Sequence, residues 1–380
     1  MPSRKNVQFS ATALILSILV SIAAAAQSDY QRGLIVPVAN NEFKIMSYNL
    51  FNLFDTVHDE GKNDWNYLPQ SHPGKDQGCN EDRSPSRCRR SDWTNEKFRL
   101  KVMQLAKAMS QQGSRPDLLA VEEIENERAA QALGQYLGYN RMLMTNSPDR
   151  RGIDVALFWN PAKLDYIEHR ELDVSSRINK ATRNILQVHF RPLNSPKAVF
   201  GVFVNHWPSQ GTPDSSVRIG AAQVLQSAID SATRAYGSDY YAIATGDFNV
   251  INNEGVFEKT IMNPSWPNRL FDTHTLAMRT GDPMMRLMPP GSYFFTRDHV
   301  WNQLDRFFIN RNLVQNSEID VVPTSFRIVA GQVNTRTFVP RGGNGRSILI
   351  PYRGNFDTLD PEKAGYSDHF PIVVKFRVNR

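Results

Sequence analysis

Phe43-Lys44-Ile45-Met46-Ser47-Tyr48-Asn49 is a short, largely apolar run that stops on an amide. It reads as a buried strand whose last residue emerges at a sheet edge. The same event recurs down the chain. Leu118-Leu119-Ala120-Val121 is followed by Glu122 and Glu123, and Val202-Phe203-Val204-Asn205 by His206. Ala242-Ile243-Ala244-Thr245-Gly246 runs into Asp247 and Asn249, and Asp368 and His369 stand just before a final strand over Ile372 to Val378. Further strands are expected at Val155–Trp159, Ile185–Phe190, Ser292–Thr296 and Leu304–Ile309. Helices are expected at Glu96 to Ser110 with Thr94 as N-cap, at Ala129 to Leu137 stopped by Gly138, and at about Ser216 to Ala235. The last would turn Val217, Ala221, Val224, Leu225, Ala228 and Ala232 inward. Strands outnumber helices too far for an eight-fold β/α barrel. Two mixed sheets packed face to face with helices outside, a four-layer α/β (α+β) sandwich, fit the order better.

The chain has 380 residues, 41% hydrophobic and 22% charged, with 22 Gly and 22 Pro. That excludes collagen-like, low-complexity and wholly disordered classes. No repeat or linker divides it, so residues 27–380 are expected to form one domain. Arg4 and Lys5, an apolar stretch from Ala11 to Ile22 and Ala23-Ala24-Ala25-Ala26 describe a cleavable signal peptide over 1–26, hence a secreted or periplasmic protein without a lasting membrane anchor. Removing Arg4 and Lys5 takes the net charge from +6 to +4. Bulk charge therefore permits a polyanionic partner without demanding one. Export makes a disulfide the default for Cys79 and Cys88, the two cysteines of the chain. They lie in a polar insertion at about 56–93, expected to be a surface excursion, functional or partly mobile.

Converging strand ends rich in Asn, Asp, Glu and His would supply hard oxygen ligands, an acid/base pair and amide donors. That inventory suits metal-assisted attack of water on a phosphoester, with Mg²⁺ preferred and Mn²⁺ or Ca²⁺ as alternatives.

Taken in order, Ser47-Tyr48-Asn49-Leu50-Phe51-Asn52-Leu53-Phe54-Asp55, Ala120-Val121-Glu122-Glu123-Ile124, Gly246-Asp247-Phe248-Asn249 and Ser367-Asp368-His369 resemble the endonuclease/exonuclease/phosphatase superfamily. This is the group of pancreatic-type deoxyribonuclease, abasic-site endonucleases and neutral sphingomyelinases, and the resemblance implies its DNase I-like fold. It further implies a metal site of Glu123 with Asn49 and Asp368 as ligands or supports. Asp247 would orient or deprotonate the attacking water. Asn249 would hold the phosphate or that aspartate, His369 would meet the scissile phosphate and Asp305 would fix His369. His206 resembles the second histidine of the deoxyribonuclease and sphingomyelinase branches, and Arg151 a phosphate-contacting arginine. Glu122, adjacent to Glu123, is expected at the surface or beside the site. His58, His72, His169, His189, His274 and His299 are expected to be structural, and Trp207 to be a packing residue.

The leading expectation is an exported, monomeric nuclease that cuts DNA, or RNA. Arg83, Arg87, Arg89 and Arg90, and the C-terminal Arg327, Arg336, Arg341, Arg346 and Arg353, are candidate backbone contacts. The alternatives are a sphingomyelinase-like phospholipid phosphodiesterase, a phosphomonoesterase, and a catalytically dead binding protein.

Overall fold

The computed structural model describes residues 29–341 and 346–379. The expected leader, 1–26, lies outside them. The strands in chain order are β1 (Glu42–Leu53), β2 (Leu118–Ile124), β3 (Met142–Met144), β4 (Asp154–Trp159), β5 (Leu164–Leu172), β6 (Ile185–Pro192), β7 (Phe200–His206) and β8 (Tyr241–Asp247). They continue with β9 (Leu270–Asp272), β10 (Tyr293–Phe295), β11 (Val300–Asn302), β12 (Asp305–Asn310), β13 (Ile319–Ile328), β14 (Thr335–Phe338), β15 (Ile348–Pro351) and β16 (Ile372–Val378). Twelve of them make two six-stranded sheets, ordered β13-β16-β1-β2-β4-β3 and β5-β6-β7-β8-β12-β9.

The sheets face one another across an apolar centre. Phe43 of the first stacks on Phe200 of the second at 5.1 Å and on Phe376 at 5.4 Å. Helices cover the outer faces, completing the expected four-layer, DNase I-like sandwich. Helix Asn95–Ser110 begins where Thr94 Oγ1 accepts from the Lys97 amide. Helix Glu127–Leu137 ends at Gly138, whose φ of +76° is the left-handed cap that glycine adopts freely. Helix Ser216–Tyr236 buries Ala221, Leu225, Ala228 and Ala232 on the second sheet. Val217 and Val224, expected inward, are only half-buried, while Arg218 is fully enclosed and its Nε donates to Glu254 Oε1 at 2.6 Å.

Two long strands escape sequence patterning. β5 is an edge strand carrying Glu168, His169, Arg170 and Glu171 exposed or half-exposed, so it shows no apolar alternation. β13 is interrupted by Pro323, and its pairing with β16 shifts between Val322 and Arg327.

Strand direction explains why the polar termini meet. β1 and β2 run parallel and finish at one edge, as do β7 and β8. β12 pairs antiparallel with β8, and β16 antiparallel with β1, so each begins at that edge. Asn49 is opposite Glu122, and Asp247 is opposite both His206 and Asp305.

Gly246 holds this edge together. Its φ is +127°, and a Cβ there would collide with the Asn205 carbonyl oxygen. Gly246→Ala is therefore expected to cost about 2–5 kcal/mol through backbone strain and overpacking, read by urea unfolding. An unchanged midpoint would refute that account.

The insertion carries the expected disulfide, and beyond expectation it has short helices and a small core of its own. It contains short helices Lys75–Gly78 and Pro85–Arg90, the Cys79–Cys88 disulfide, and its own buried residues Leu68, Lys75, Cys79 and Cys88. Lys75 Nζ donates to the Leu68 carbonyl and Ser91 Oγ, and Trp93 Nε1 ties the segment to the Phe54 carbonyl at 3.0 Å. Polar satisfaction replaces the apolar periodicity that sequence reading looks for.

Candidate active site

Asp247, the last residue of β8, is almost wholly buried. Its Oδ1 accepts from the Asn249 amide at 2.8 Å, and its Oδ2 from Asn49 Nδ2 and Asn249 Nδ2, both at 3.1 Å. Asn249 Nδ2 also donates to the Trp207 carbonyl. Of the two partners expected for Asn249, the phosphate or the aspartate, its side chain is thus engaged with the aspartate. Asn49 spends its oxygen on the Phe51 amide at 2.9 Å, which makes it a support in this geometry. Burial pushes the Asp247 carboxyl up to about 7; His369 opposes this, while Asp305 and Glu123 add to it.

His369 Nδ1 is 2.7 Å from Asp305 Oδ2, and Ser292 Oγ donates to the same oxygen at 2.6 Å. Ser367 Oγ accepts from the His369 amide and donates to the Asn49 carbonyl beneath the site. Tyr293 packs its ring 4.8 Å from the imidazole. Burial alone would discharge His369. The Asp305, Asp247 and Asp368 carboxylates outweigh it and hold the ring cationic well above its ordinary range. His206 has the opposite fate: burial, with Arg183 and Arg151, pushes it well below its usual value. Its Nε2 stands 3.7 Å from Asp247 Oδ2 and 3.8 Å from Glu123 Oε1. The site therefore offers one cationic and one neutral imidazole beside a carboxyl poised near neutrality.

Glu123 has φ of +60° and Asn249 of +51°, left-handed conformations that bulky residues rarely adopt. At Glu123 the β1–β2 and β2–β4 registers shift, which turns the side chain out of strand alternation. Glu123 and Asp368 are partly exposed, and among the described residues their only ion-pair contacts are His206 and His369 at 3.8 and 4.0 Å. Burial, with Glu123 adding and His369 opposing, raises Asp368 to about 6. Two clustered carboxylates that no lysine or arginine among the described residues approaches within 4 Å form a hard-oxygen donor set fit for a divalent cation. No group of three or more His, Cys, Asp or Glu side chains among the described residues forms a cation cage.

The remaining candidates are placed as follows: Arg327 departs from expectation, while Trp207 and His189 pack as expected. Of the two places expected for Glu122, the surface or beside the site, it takes the second: it is fully buried, accepts from Ser47 Oγ at 2.9 Å, and is pushed well up by burial with Asp305 and Asp247. It is a neutral acid under the site. Arg327 is no free backbone contact, because it is buried and donates to the carbonyls of Gly33, Thr324 and Phe326. Arg151 is exposed, 3.6 Å from Asp149. Trp207 is buried against Phe248, and His189 against Tyr236 and Tyr240.

Sequence reading missed Lys101. It is 1% exposed, donates to the Phe51 carbonyl at 2.5 Å and lies 3.5 Å above the Phe356 ring. Burial lowers its pKa to about 7 against the pull of Asp368 and Glu123. Its position between Phe98 and Leu105 on the inner helix face was the available signal.

The pattern of the Endonuclease/Exonuclease/phosphatase family matches residues 44–378. No curated protein matches the chain in sequence. Among solved structures, it is similar to the human Nocturnin catalytic domain at 17% identity, covering 90% of this chain and 97% of that one with a TM-score of 0.52. D. rerio TDP2 complexed with single-strand DNA product gives 13%, 89%, 100% and 0.52. The mannosyl-6-phosphatase of Bacteroides thetaiotaomicron gives 16%, 88%, 99% and 0.51. At these identities the likeness shows the fold.

Proposed function

Since the chain belongs to the endonuclease/exonuclease/phosphatase family, whose enzymes hydrolyse phosphoester bonds, we propose that it is an exported, Mg²⁺-dependent nuclease acting on DNA or RNA. The observation that carries the hydrolytic reading is the buried line Asp305–His369–Asp247 beside Glu123 and Asp368. Asp247, fixed by Asn49 and Asn249, accepts the proton of the attacking water. His369, held charged by Asp305, donates to the phosphate oxygens as negative charge gathers on them. His206 faces the same space as a neutral donor. Glu123 and Asp368 would hold the cation, which when bound supplies a Lewis acid for phosphate charge.

A nucleic-acid substrate is supported by the exposed cations Arg151 and Arg353 flanking the site, and by the DNA product bound to TDP2 on this fold. The sphingomyelinase-like reading has one feature in its favour: the β10–β11 hairpin beside His369 exposes Phe295 and Val300. Its tip, Thr296-Arg297-Asp298-His299, is polar and ill-suited to entering a bilayer. The mannosyl-6-phosphatase keeps a phosphomonoesterase in view.

Purified protein incubated with plasmid DNA, RNA and sphingomyelin vesicles is expected to cut nucleic acid with Mg²⁺. EDTA is expected to lower the rate by at least about 100-fold, as loss of several kcal/mol of charge stabilisation requires. Headgroup release from vesicles with nucleic acid left intact would overturn the nuclease reading.

A further inference from the structure

Beside the catalytic edge lies a cleft of about 510 Å³, walled by the 56–93 insertion, the end of β1 and the segment 353–357. Its floor is aromatic: Phe51 and Phe356 lie 5.7 Å apart, with Tyr67 stacked on Phe54 at 3.9 Å, and all but Phe54 keep part of their surface exposed. Its rim is cationic, with Arg83, Arg87, Arg151 and Arg353 all exposed. Among the described residues only Arg151 of these four has a carboxylate within 4 Å. The cleft's two acids already have partners: Asp82 accepts from the Ser84 amide at 2.7 Å and from Asn66 Nδ2, and Asp357 sits 3.5 Å from Lys97.

The cleft adjoins the catalytic edge through three of its lining residues, Phe51, Lys101 and Arg353. Phe51 is two residues beyond Asn49, and its carbonyl is held by Lys101, which also borders the cleft. Arg353 lies over the Phe51 ring at 5.2 Å, and its charge is felt by Asp368.

We propose that this cleft is a polynucleotide subsite that binds the nucleotides flanking the scissile phosphate and makes efficient cleavage depend on strand length. The inference rests on the nuclease reading above. Half-exposed aromatic faces stack on bases irrespective of sequence, and exposed arginines track successive phosphates. A compact phosphomonoester would engage one or two of the four arginines. A lipid would need apolar groups where the rim carries guanidinium. Only an extended, multiply charged ligand with planar groups matches both walls.

The test measures kcat/KM for bis(p-nitrophenyl) phosphate, a dinucleotide and a single-stranded 8-mer, each over a range of NaCl. Wild type is expected to favour the 8-mer over the dinucleotide by at least about 10-fold, with a strong salt dependence. Arg83→Ala/Arg87→Ala should lose about 10-fold on the 8-mer, flatten its salt slope and leave the small diester unchanged. Phe356→Ala should lose about 5- to 100-fold on the 8-mer with the slope retained. Oligonucleotide cleavage that is independent of length, or an Arg pair variant that loses equally on all substrates, overturns the subsite while sparing the nuclease reading. Turnover of the small diester with neither oligonucleotide cut overturns both.

Discussion

Asp247→Asn is expected to lower kcat by about 10²–10⁴-fold on any substrate while the protein stays folded. The carboxyl is the acceptor at which three donors converge, two from Asn249 and one from Asn49. An asparagine removes the proton acceptor and sets its own amide against one of those donors. The structural penalty should stay near the value of one poorly matched hydrogen bond, about 1–3 kcal/mol. The kinetic loss far exceeds what such a change does to the folded population of an ordinary domain. Single-turnover rates and a urea melt on the same preparation separate the two. Burial has raised the Asp247 carboxyl to about 7, and only its ionised form accepts a proton. Wild-type activity should therefore rise with pH through about 7, and a bound divalent cation, by favouring the anion, should move that limb lower. Near-normal turnover by the variant would remove Asp247 from its assigned role.

Site positions were legible in the sequence where strand chemistry and strand direction agree. Asn49, Glu123, His206, Asp247, Asp305, Asp368 and His369 all follow or precede apolar runs; the parallel β1–β2 and β7–β8 pairs, with β12 and β16 running antiparallel to β8 and β1, bring them to one edge. Glu122 shows where the same logic breaks down. Strand alternation left Glu122 either at the surface or beside the site, and the bulge at Glu123 decides for the second by leaving Glu122 enclosed and uncharged. Lys101 and Arg327 were hidden by a similar assumption, that a long cation sits in solvent. Each is buried because backbone carbonyls receive its donors. β5 was illegible for the opposite reason, since an edge strand can be charged on both faces. The insertion packs through a disulfide and polar bonds, features without hydrophobic period.

The second large effect concerns the His369–Asp305 pair. His369→Ala should reduce kcat by about 10²–10³-fold, because the cation facing the phosphate disappears at the moment charge develops. It should also move the acid limb upward, since the imidazolium is the charge that opposes protonation of Asp247. Asp305→Asn is the sharper test, because it leaves the imidazole in place and changes only what stands behind it. Asp305 holds His369 protonated and pushes Asp247 toward its neutral form. Removing that one charge lowers both pKa values. The protonated histidine is then lost at lower pH, and the ionised aspartate is gained at lower pH. Both limbs of the kcat/KM profile should shift toward acid, with a fall at the optimum of about 10–100-fold. A variant that merely loosened the β8–β12 pairing would scale the profile down without displacing it. An unshifted profile would therefore dismiss Asp305 as the group that keeps His369 charged.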